Sequence, residues 1–174
     1  MRMAFIASIV PLVLAGQATA ASLSVSAPDP LTVEPAEIAQ NSLFTEQLGI
    51  RAATDGPQPV VGEYLCTVGY FPQIEAHLRT QDEYNAELLD PAFIAGIKAN
   101  LANGMSAVDQ SDFIVGPAAG IEFIGTPQGE ASHRYYMAMW QMPTGNIQVS
   151  CSTTEDRFGE AVGMFRAIRD SVRY

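Results

Sequence analysis

The last third of the chain contains the pattern that most restricts its fold: two strand-like segments joined by a turn, with a helix directly after them. Residues 134–142 predict a long strand, residues 143–146 (PTGN) a hairpin turn, and residues 147–153 the partner strand. Strands this close in sequence pair antiparallel by default. In the second strand Ile147, Val149 and Cys151 alternate with polar residues, which predicts that Cys151 points inward.

A helix closes the chain, with Thr153 or Thr154 as its N-cap. Its predicted buried face is an apolar stripe at 3.6-residue spacing, formed by Phe158, Val162, Phe165, Ile168 and Val172. Three arginines near its end, Arg166, Arg169 and Arg173, complement the helix dipole, and an anion-binding row is the alternative role.

The middle of the chain predicts further strands and two helices. Residues 60–71 are rich in aromatic and β-branched side chains that recur at every second position, which predicts a strand. Residues 113–115 and 120–125 predict two shorter strands. Thr80 and Glu83 form a capping box before one helix, and Asp90-Pro91 begins a second helix that ends at Asn103-Gly104. The predicted fold class is α+β: a central antiparallel β-sheet, built as a meander and flanked by helices, with the C-terminal amphipathic helix packed on it.

The first twenty residues predict the cellular compartment. Arg2, an apolar run over residues 4–15 and the small residues 18–20 (ATA) form the pattern of a secretory signal peptide. The apolar run is shorter than the roughly twenty residues that cross a bilayer as a helix. The sequence therefore predicts a periplasmic or secreted protein with no stable membrane anchor after cleavage.

Proline spacing predicts the domain organisation after the signal peptide. Residues 21–59 contain Pro28, Pro30, Pro35, Pro57 and Pro59 and form a proline-rich lead-in, in which residues 31–33 predict an edge strand and residues 36–44 a short helix. Residues 60–174 are predicted to form a single α+β domain. With 9 basic against 19 acidic residues the formal net charge is −10, which argues against nucleic acid as a partner because such binding depends on basic contacts.

The chain has two cysteines, Cys66 and Cys151, 85 positions apart. In an oxidising compartment such a pair persists as a disulfide, which is the main prediction. A catalytic thiol would need a base close by, and the two histidines, His77 and His133, are in no motif that places them there. A zinc site would need closer ligand spacing. Free buried thiols are the remaining alternative.

Four short segments resemble a group of small exported bacterial proteins of unassigned activity: YLC (64–66), QDEYN (81–85), IQVSC (147–151) and FRAIRDSV (165–172). The strand-strand-strand-helix ending also resembles the α/β/α sandwich of PsbP-like and DcrB-like domains. The resemblance covers roughly residues 60–174. It implies a central antiparallel sheet with helices against its faces and an accessory or binding role, and it supplies no catalytic residues.

Strand 134–142 holds two candidate sites. Arg134, Tyr136 and Trp140 share one face, which could bind a sugar or peptide if exposed but forms core if helices cover it. Met137 and Met139 share the other face; thioethers select Cu(I), although methionine is more often an adaptable core residue.

Catalytic motifs are missing from the sequence: there is no G-x-S-x-G, no H-E-x-x-H and no phosphate-binding glycine loop. We therefore expect no cofactor and a non-enzymatic binding or accessory protein, whose partner is an envelope protein or a small ligand. The alternatives are a Met-based periplasmic copper-binding protein and a small thiol-dependent enzyme, with Cys151 and His133 as its candidates.

Overall fold

A computed structural model describes residues 22–73 and 78–174 of the chain. The predicted signal peptide, residues 1–20, and His77 lie outside these ranges. The described residues form the strands β1 Thr32–Pro35, β2 Glu46–Arg51, β3 Cys66–Pro72, β4 Met105–Val115, β5 Ala118–Pro127, β6 His133–Met142 and β7 Gly145–Thr154, and the helices α1 Gln81–Leu88, α2 Pro91–Leu101 and α3 Glu155–Ser171.

All seven strands belong to one antiparallel sheet with the order β1-β2-β3-β7-β6-β5-β4. The four C-terminal strands form a meander, in which each strand pairs with the next along the chain. The three N-terminal strands form a second meander, which joins the first through the pairing of β3 with β7. The structure thus confirms the predicted α+β class with a central antiparallel sheet.

Helices cover both faces of this sheet. Helix α3 packs on β6 and β7, and α1 packs on β5 and β6. Tyr136 contacts Phe165 of α3 with ring centroids 5.7 Å apart, whereas Met139, three residues later on β6, lines a cavity with Leu88 of α1. Because alternate residues of a strand point to opposite faces, α1 and α3 lie on opposite sides of the sheet. The predicted packing of the C-terminal helix on the sheet is confirmed.

Local signals predicted the start of each helix correctly, whereas α2 ends at Leu101, before the predicted stop at Asn103-Gly104. The Thr80–Glu83 capping box is formed, and the Asp90 carboxylate accepts hydrogen bonds from the amides of Ala92 and Phe93 at the start of α2. Thr154 is the N-cap residue of α3. Within the described residues, no helix is both long and apolar enough to cross a membrane.

Strand lengths differ from the sequence prediction in the C-terminal meander. The segments predicted at 113–115 and 120–125 belong to strands of 11 and 10 residues, joined by a tight turn at Gly116-Pro117. Gly116 adopts a φ of 58°, which favours glycine. β4 is an edge strand whose polar residues meet solvent, so its sequence VDQSD lacks the apolar alternation that marks a strand.

The N-terminal region contains two errors of prediction. Residues 36–44 form no helix, because Ala36 still donates a backbone hydrogen bond to Gln47 and the chain then turns back through Asn41, which has a φ of 69°. Residues 60–65 precede β3 as bends, so the strand begins at Cys66 rather than at residue 60.

The proline-rich lead-in contributes to the sheet. Strands β1 and β2 lie within residues 21–59, and the predicted edge strand at 31–33 corresponds to β1. Leu23, Leu31 and Ile50 belong to the same hydrophobic core as the residues after position 60. The expected boundary at residue 60 therefore does not coincide with a boundary of the sheet or of the core.

Candidate functional site

Cys66 and Cys151 form a disulfide that links the two meanders. They are directly opposite each other in the β3–β7 register, and both are buried. The predicted disulfide is confirmed. Because Cys151 has no free thiol, it cannot serve as the nucleophile of the thiol-dependent alternative, and the ring Nδ1 of His133 lies 2.5 Å from the carboxylate of Glu130 instead.

The candidate ligand face of β6 lies beneath helix α3. Tyr136 and Trp140 are 1% and 2% exposed, so no ligand reaches them in this structure. Arg134, at the start of the strand, donates a hydrogen bond of 3.0 Å to Glu155 in the first turn of α3. In the structure this face is therefore part of the core and not an exposed binding surface.

A buried carboxylate, that of Glu122 on β5, lies under the same helix and was missed by the sequence analysis. Glu122 is 2% exposed and accepts hydrogen bonds from four side chains. Arg169 Nη1 donates to Oε2 at 2.6 Å, Tyr136 donates to Oε2 at 3.0 Å, Ser111 donates to Oε1 at 2.8 Å and Arg166 Nη2 donates to Oε1 at 2.5 Å. We call these five residues the Glu122 cluster.

Two opposing effects act on the charge of Glu122. Burial alone would raise its pKa, but the hydrogen bonds from Arg166, Ser111 and Tyr136 outweigh burial and hold the pKa below its ordinary value. Burial raises the pKa of Tyr136, so its hydroxyl stays protonated and donates. Glu122 is paired with both arginines, and Arg169 also pairs with Asp170 at 2.7 Å, so the cluster forms a polar attachment of α3 to the sheet.

The sequence holds a signal for this cluster. Arg169 follows Ala161 and Phe165 at steps of four residues and so lies on the buried stripe of α3, where a lone cation would be costly. Glu122 stands between apolar residues in the run GIEFI of β5. A buried acidic residue on β5 and a buried basic residue on α3 predict an ion pair, provided that β5 and α3 are known to be neighbours.

The opposite face of the sheet contains a groove that neither α1 nor α2 covers. Met137 and Met139 of β6 and Gln148 and Ser150 of β7 point to this face and are half-buried. We define these four residues as the floor of the groove. The two candidate copper-ligating methionines thus lie side by side in an accessible position, and copper binding stays a prediction.

Helix α2 forms one wall of the groove. Phe93 lines a cavity with Met139 at one end, and Leu101 lines a cavity with Tyr135 at the other. Eight helical steps from Phe93 to Leu101 span about 12 Å, and four strand steps from Tyr135 to Met139 span about 13 Å. The helix therefore runs alongside the floor for the whole length of the groove.

Two aromatic rings form the other wall, and glycines make room for them. The rings of Tyr64 and Phe44 lie directly on Gly49 of β2 and Gly69 of β3. A Cβ atom at either glycine would come within 2.4 or 2.5 Å of ring atoms, so a larger residue would displace the wall. Phe44 also contacts Phe71 edge to face at 5.7 Å.

Three cavities open along the groove. The cavity between Phe71 and Phe93, which we call the end cavity, has a volume of about 180 Å³. Beside Tyr64, Thr67 and Ser150 lies a cavity of about 230 Å³, and beside Leu101 and Tyr135 one of about 350 Å³. None of the described residues that line these three cavities carries a charge. Burial raises the pKa of Tyr64 and of Tyr135, so both hydroxyls stay neutral.

Comparisons with known proteins leave the ligand open. No family model matches the chain, and no curated protein matches it. The solution structure of cyanobacterial PsbP (CyanoP) from Synechocystis sp. PCC 6803 is similar to it, with 11% identity and a TM-score of 0.47, over 91% of this chain and 95% of that one. A match this distant carries no argument about the family or the function of this chain.

Proposed function

We propose that the protein is an exported, non-enzymatic binding or accessory protein of the cell envelope, and that the groove is its binding surface. The observation that carries this proposal is the uncharged, half-buried floor of Met137, Met139, Gln148 and Ser150, which lies on the part of this sheet face that α1 and α2 leave open. Such a mixture of apolar and neutral hydrogen-bonding groups in a concave surface is typical of a binding site.

Three further features support the proposal. The disulfide joins β3 to β7, the strand that carries Gln148 and Ser150 of the floor, and such a bond persists in an oxidising compartment. The N-terminal pattern of a signal peptide and the net charge of −10 favour an exported protein without nucleic-acid partners. The described lining of the groove is neutral, and the raised pKa values of Tyr64 and Tyr135 keep their hydroxyls protonated, so neither is suited to act as a general base, which favours binding over catalysis.

A native mass spectrum of the protein recovered from its own cell envelope tests the proposal. We expect the intact protein to begin at residue 21 or 22, to lack two hydrogens because of the disulfide, and to retain a bound small molecule or protein. Ser150→Trp fills the groove and should abolish retention. Ala167→Trp, on the exposed face of α3, adds the same side chain elsewhere and should leave retention unchanged.

Two results would contradict the proposal. A partner retained equally by both variants would place the binding surface outside the groove. An adduct of copper that disappears in Met137→Leu/Met139→Leu would favour the copper-binding alternative over an organic ligand or a protein.

A further inference from the structure

A pair of stacked tyrosines connects the residues that follow α3 to strand β3. The rings of Tyr70 and Tyr174 are nearly parallel, with an interplanar angle of 17° and centroids 3.6 Å apart. Aromatic pairs in proteins usually have centroids about 4.5–7 Å apart and avoid face-to-face stacking. The two phenol rings are therefore unusually close, and carbon atoms of one ring face carbon atoms of the other.

Both tyrosines are held in place by backbone contacts. The ring of Tyr70 lies against Gly145, where a Cβ atom would come within 2.5 Å of it. The Tyr70 hydroxyl donates a hydrogen bond of 2.5 Å to a backbone carbonyl of the β6–β7 turn. Arg173, which precedes Tyr174, exchanges two backbone hydrogen bonds of 2.9 Å with Ser24. The stacked arrangement is therefore preorganised.

The two hydroxyl groups lie close to each other and beside the carboxylate of Glu46. Glu46 is directly opposite Tyr70 in the β2–β3 register, and its Oε2 accepts a hydrogen bond of 2.8 Å from the amide of Leu23. The interaction of the Tyr174 hydroxyl with that of Tyr70, followed by burial and by the Glu46 carboxylate, raises the pKa of Tyr174. Because the hydroxyls of the stacked rings are neighbours, the ortho carbons next to them are neighbours too.

Tyr174 is the accessible member of the pair. It is half-buried, whereas Tyr70 is 4% exposed. Tyr174 also lines a cavity of about 390 Å³ at the end of α3. A small oxidant in solution can therefore reach Tyr174 directly and Tyr70 only through the ring stacked on it.

We propose that Tyr70 and Tyr174 are a site of oxidative modification, at which a one-electron oxidant converts the stacked pair into dityrosine. One equivalent of oxidant takes an electron from Tyr174, and Glu46 accepts the hydroxyl proton. A hydrogen atom then passes from the Tyr70 hydroxyl to the Tyr174 radical, and a second equivalent oxidises Tyr174 again.

The two phenoxyl radicals combine at their ortho carbons, which forms one C–C bond. Each ortho hydrogen then returns to the oxygen of its own ring, so both phenols are restored. Two electrons have gone to two equivalents of oxidant, and two protons have left through Glu46 to solvent. The product is two hydrogens lighter than the starting protein.

Dityrosine would be a second covalent link to β3. The disulfide joins β3 to β7, whereas this link joins β3 to the residues after α3 and, as a C–C bond, is not reversed by thiols. The inference goes beyond the proposed function and does not depend on it, since neither tyrosine is among the described residues that line the cavities of the groove.

The test is oxidation of the purified, disulfide-bonded protein by photogenerated tris(bipyridine)ruthenium(III), with persulfate as the final electron acceptor. After reduction and digestion with trypsin, the peptide of residues 52–79 should carry Tyr174, and fragmentation should place the link on Tyr70 and not on Tyr64. Because the reacting carbons are already in contact, the crosslinked fraction should stay constant on about tenfold dilution of the protein.

Two variants that each lack one hydroxyl show which phenols react. Tyr174→Phe keeps an aromatic ring to stack on Tyr70 but has no hydroxyl hydrogen to lose, so the link to peptide 52–79 should disappear. Tyr84→Phe, in α1, removes a hydroxyl outside the pair and should leave the crosslinked fraction unchanged. Far-UV circular dichroism and a thermal melt confirm that each variant is folded.

Glu46→Gln tests the proton acceptor. Glutamine keeps an oxygen for the amide of Leu23 but is far less basic than a carboxylate. The initial rate of crosslinking at neutral pH should fall by about tenfold or more, because general bases contribute roughly 10²–10⁴ in rate. A higher concentration of phosphate, which acts as an external base, should restore the rate. A rate equal to that of the native protein would exclude Glu46 as the acceptor.

Three outcomes would overturn the inference. The first is an oxidised protein in which other tyrosines are crosslinked while Tyr70 and Tyr174 remain unlinked. The second is a Tyr70–Tyr174 link found only in dimers, whose amount falls on dilution. The third is equal dityrosine fluorescence in the native protein and in Tyr174→Phe, which would assign the crosslink to a different pair.

Discussion

Glu122 is the residue whose replacement should affect stability most specifically. Glu122→Gln leaves Arg169, itself 8% exposed, without its buried counter-charge. Removing one partner of a buried ion pair destabilises by about 3–5 kcal/mol. We expect a loss of that size in the free energy of unfolding at neutral pH, measured by chemical denaturation. Glu63→Gln, which removes an exposed partner of Arg51, is the control and should change stability by less than about 1 kcal/mol.

The same residue predicts a pH dependence. The pKa of Glu122 is lower in the folded than in the unfolded chain, so its contribution is complete above the ordinary carboxyl value of 4.5 and is lost as the pH falls through the folded pKa. The difference in unfolding free energy between native protein and Glu122→Gln should therefore shrink as the pH falls below about 4.5. A difference that is constant from neutral to acidic pH would contradict the charged state assigned to Glu122.

Single residues also show the limit of reasoning from the sequence. Cys66 and Cys151 were predicted as partners because two cysteines in an oxidising compartment leave one pairing. Glu122 was missed because its role depends on what faces it: the pairing with Arg169 becomes a signal only when β5 and α3 are known to be neighbours. Local periodicity does not indicate which residues that are far apart in the sequence become neighbours in the fold.

Among the elements, helix α1 is attached to the β4–β5 turn through the side chain of Asn85. Asn85 Oδ1 accepts hydrogen bonds from the amide of Ala119 and from Gln81, and its Nδ2 donates to the carbonyl of Pro117. This contact gives a physical role to part of the QDEYN segment, because it ties α1 to the β4–β5 turn.

Asn85→Ala should destabilise the protein by about 1–3 kcal/mol, because it leaves the partly buried amide of Ala119 without its partner. Hydrogen exchange at the Ala119 amide should accelerate at the same time. Asn100→Ala, on the exposed face of α2, makes the same truncation and should change the unfolding free energy little. Equal effects of the two variants would exclude a fastening role for Asn85.

Helix α2 should be the more mobile of the two longer helices. None of its residues is fully buried, whereas α3 buries Ala161, Phe165, Ile168 and Arg169. Few buried contacts allow local opening at low free energy. We expect backbone amides of α2 to exchange with deuterium faster than those of α3, measured by mass spectrometry of peptides. Equal protection would mean that the groove wall is as rigid as the core.

Elements with a strong local signal were predicted well, and edge elements were not. The β6–β7 hairpin has turn residues between two segments of alternating side chains, and α3 has an apolar stripe at helical spacing. These signals all indicate the observed elements. β4 is at the edge of the sheet, where polar side chains face solvent. Its sequence therefore lacks a clear alternation of apolar and polar residues, and the predicted strand was too short. Residues 36–44 suit a helix locally, but pairing of β1 with β2 requires the chain to reverse there.

On the scale of the whole molecule, the disulfide should account for a large share of stability. It closes a loop over 85 positions, for which the chain-entropy model gives about 4–5 kcal/mol as an upper value. We expect Cys66→Ala/Cys151→Ala to lower the free energy of unfolding by up to that amount. Thr67→Ala/Ser150→Ala changes the next pair in the same two strands and serves as the control. A loss no greater than that of the control would contradict the prediction.

The strand order also governs the time course of folding. β3 lies between β2 and β7, so the β3 edge of the N-terminal meander stays unpaired until residues 145–154 are available. Pairings of such long sequence separation close slowly, typically in milliseconds to seconds for sheet-rich domains. During that interval Cys66, at the start of β3, is a reactive thiol beside an open strand edge, able to join another molecule. The yield of correctly oxidised protein will therefore depend more on how soon β7 pairs with β3 than on how stable the folded sheet is.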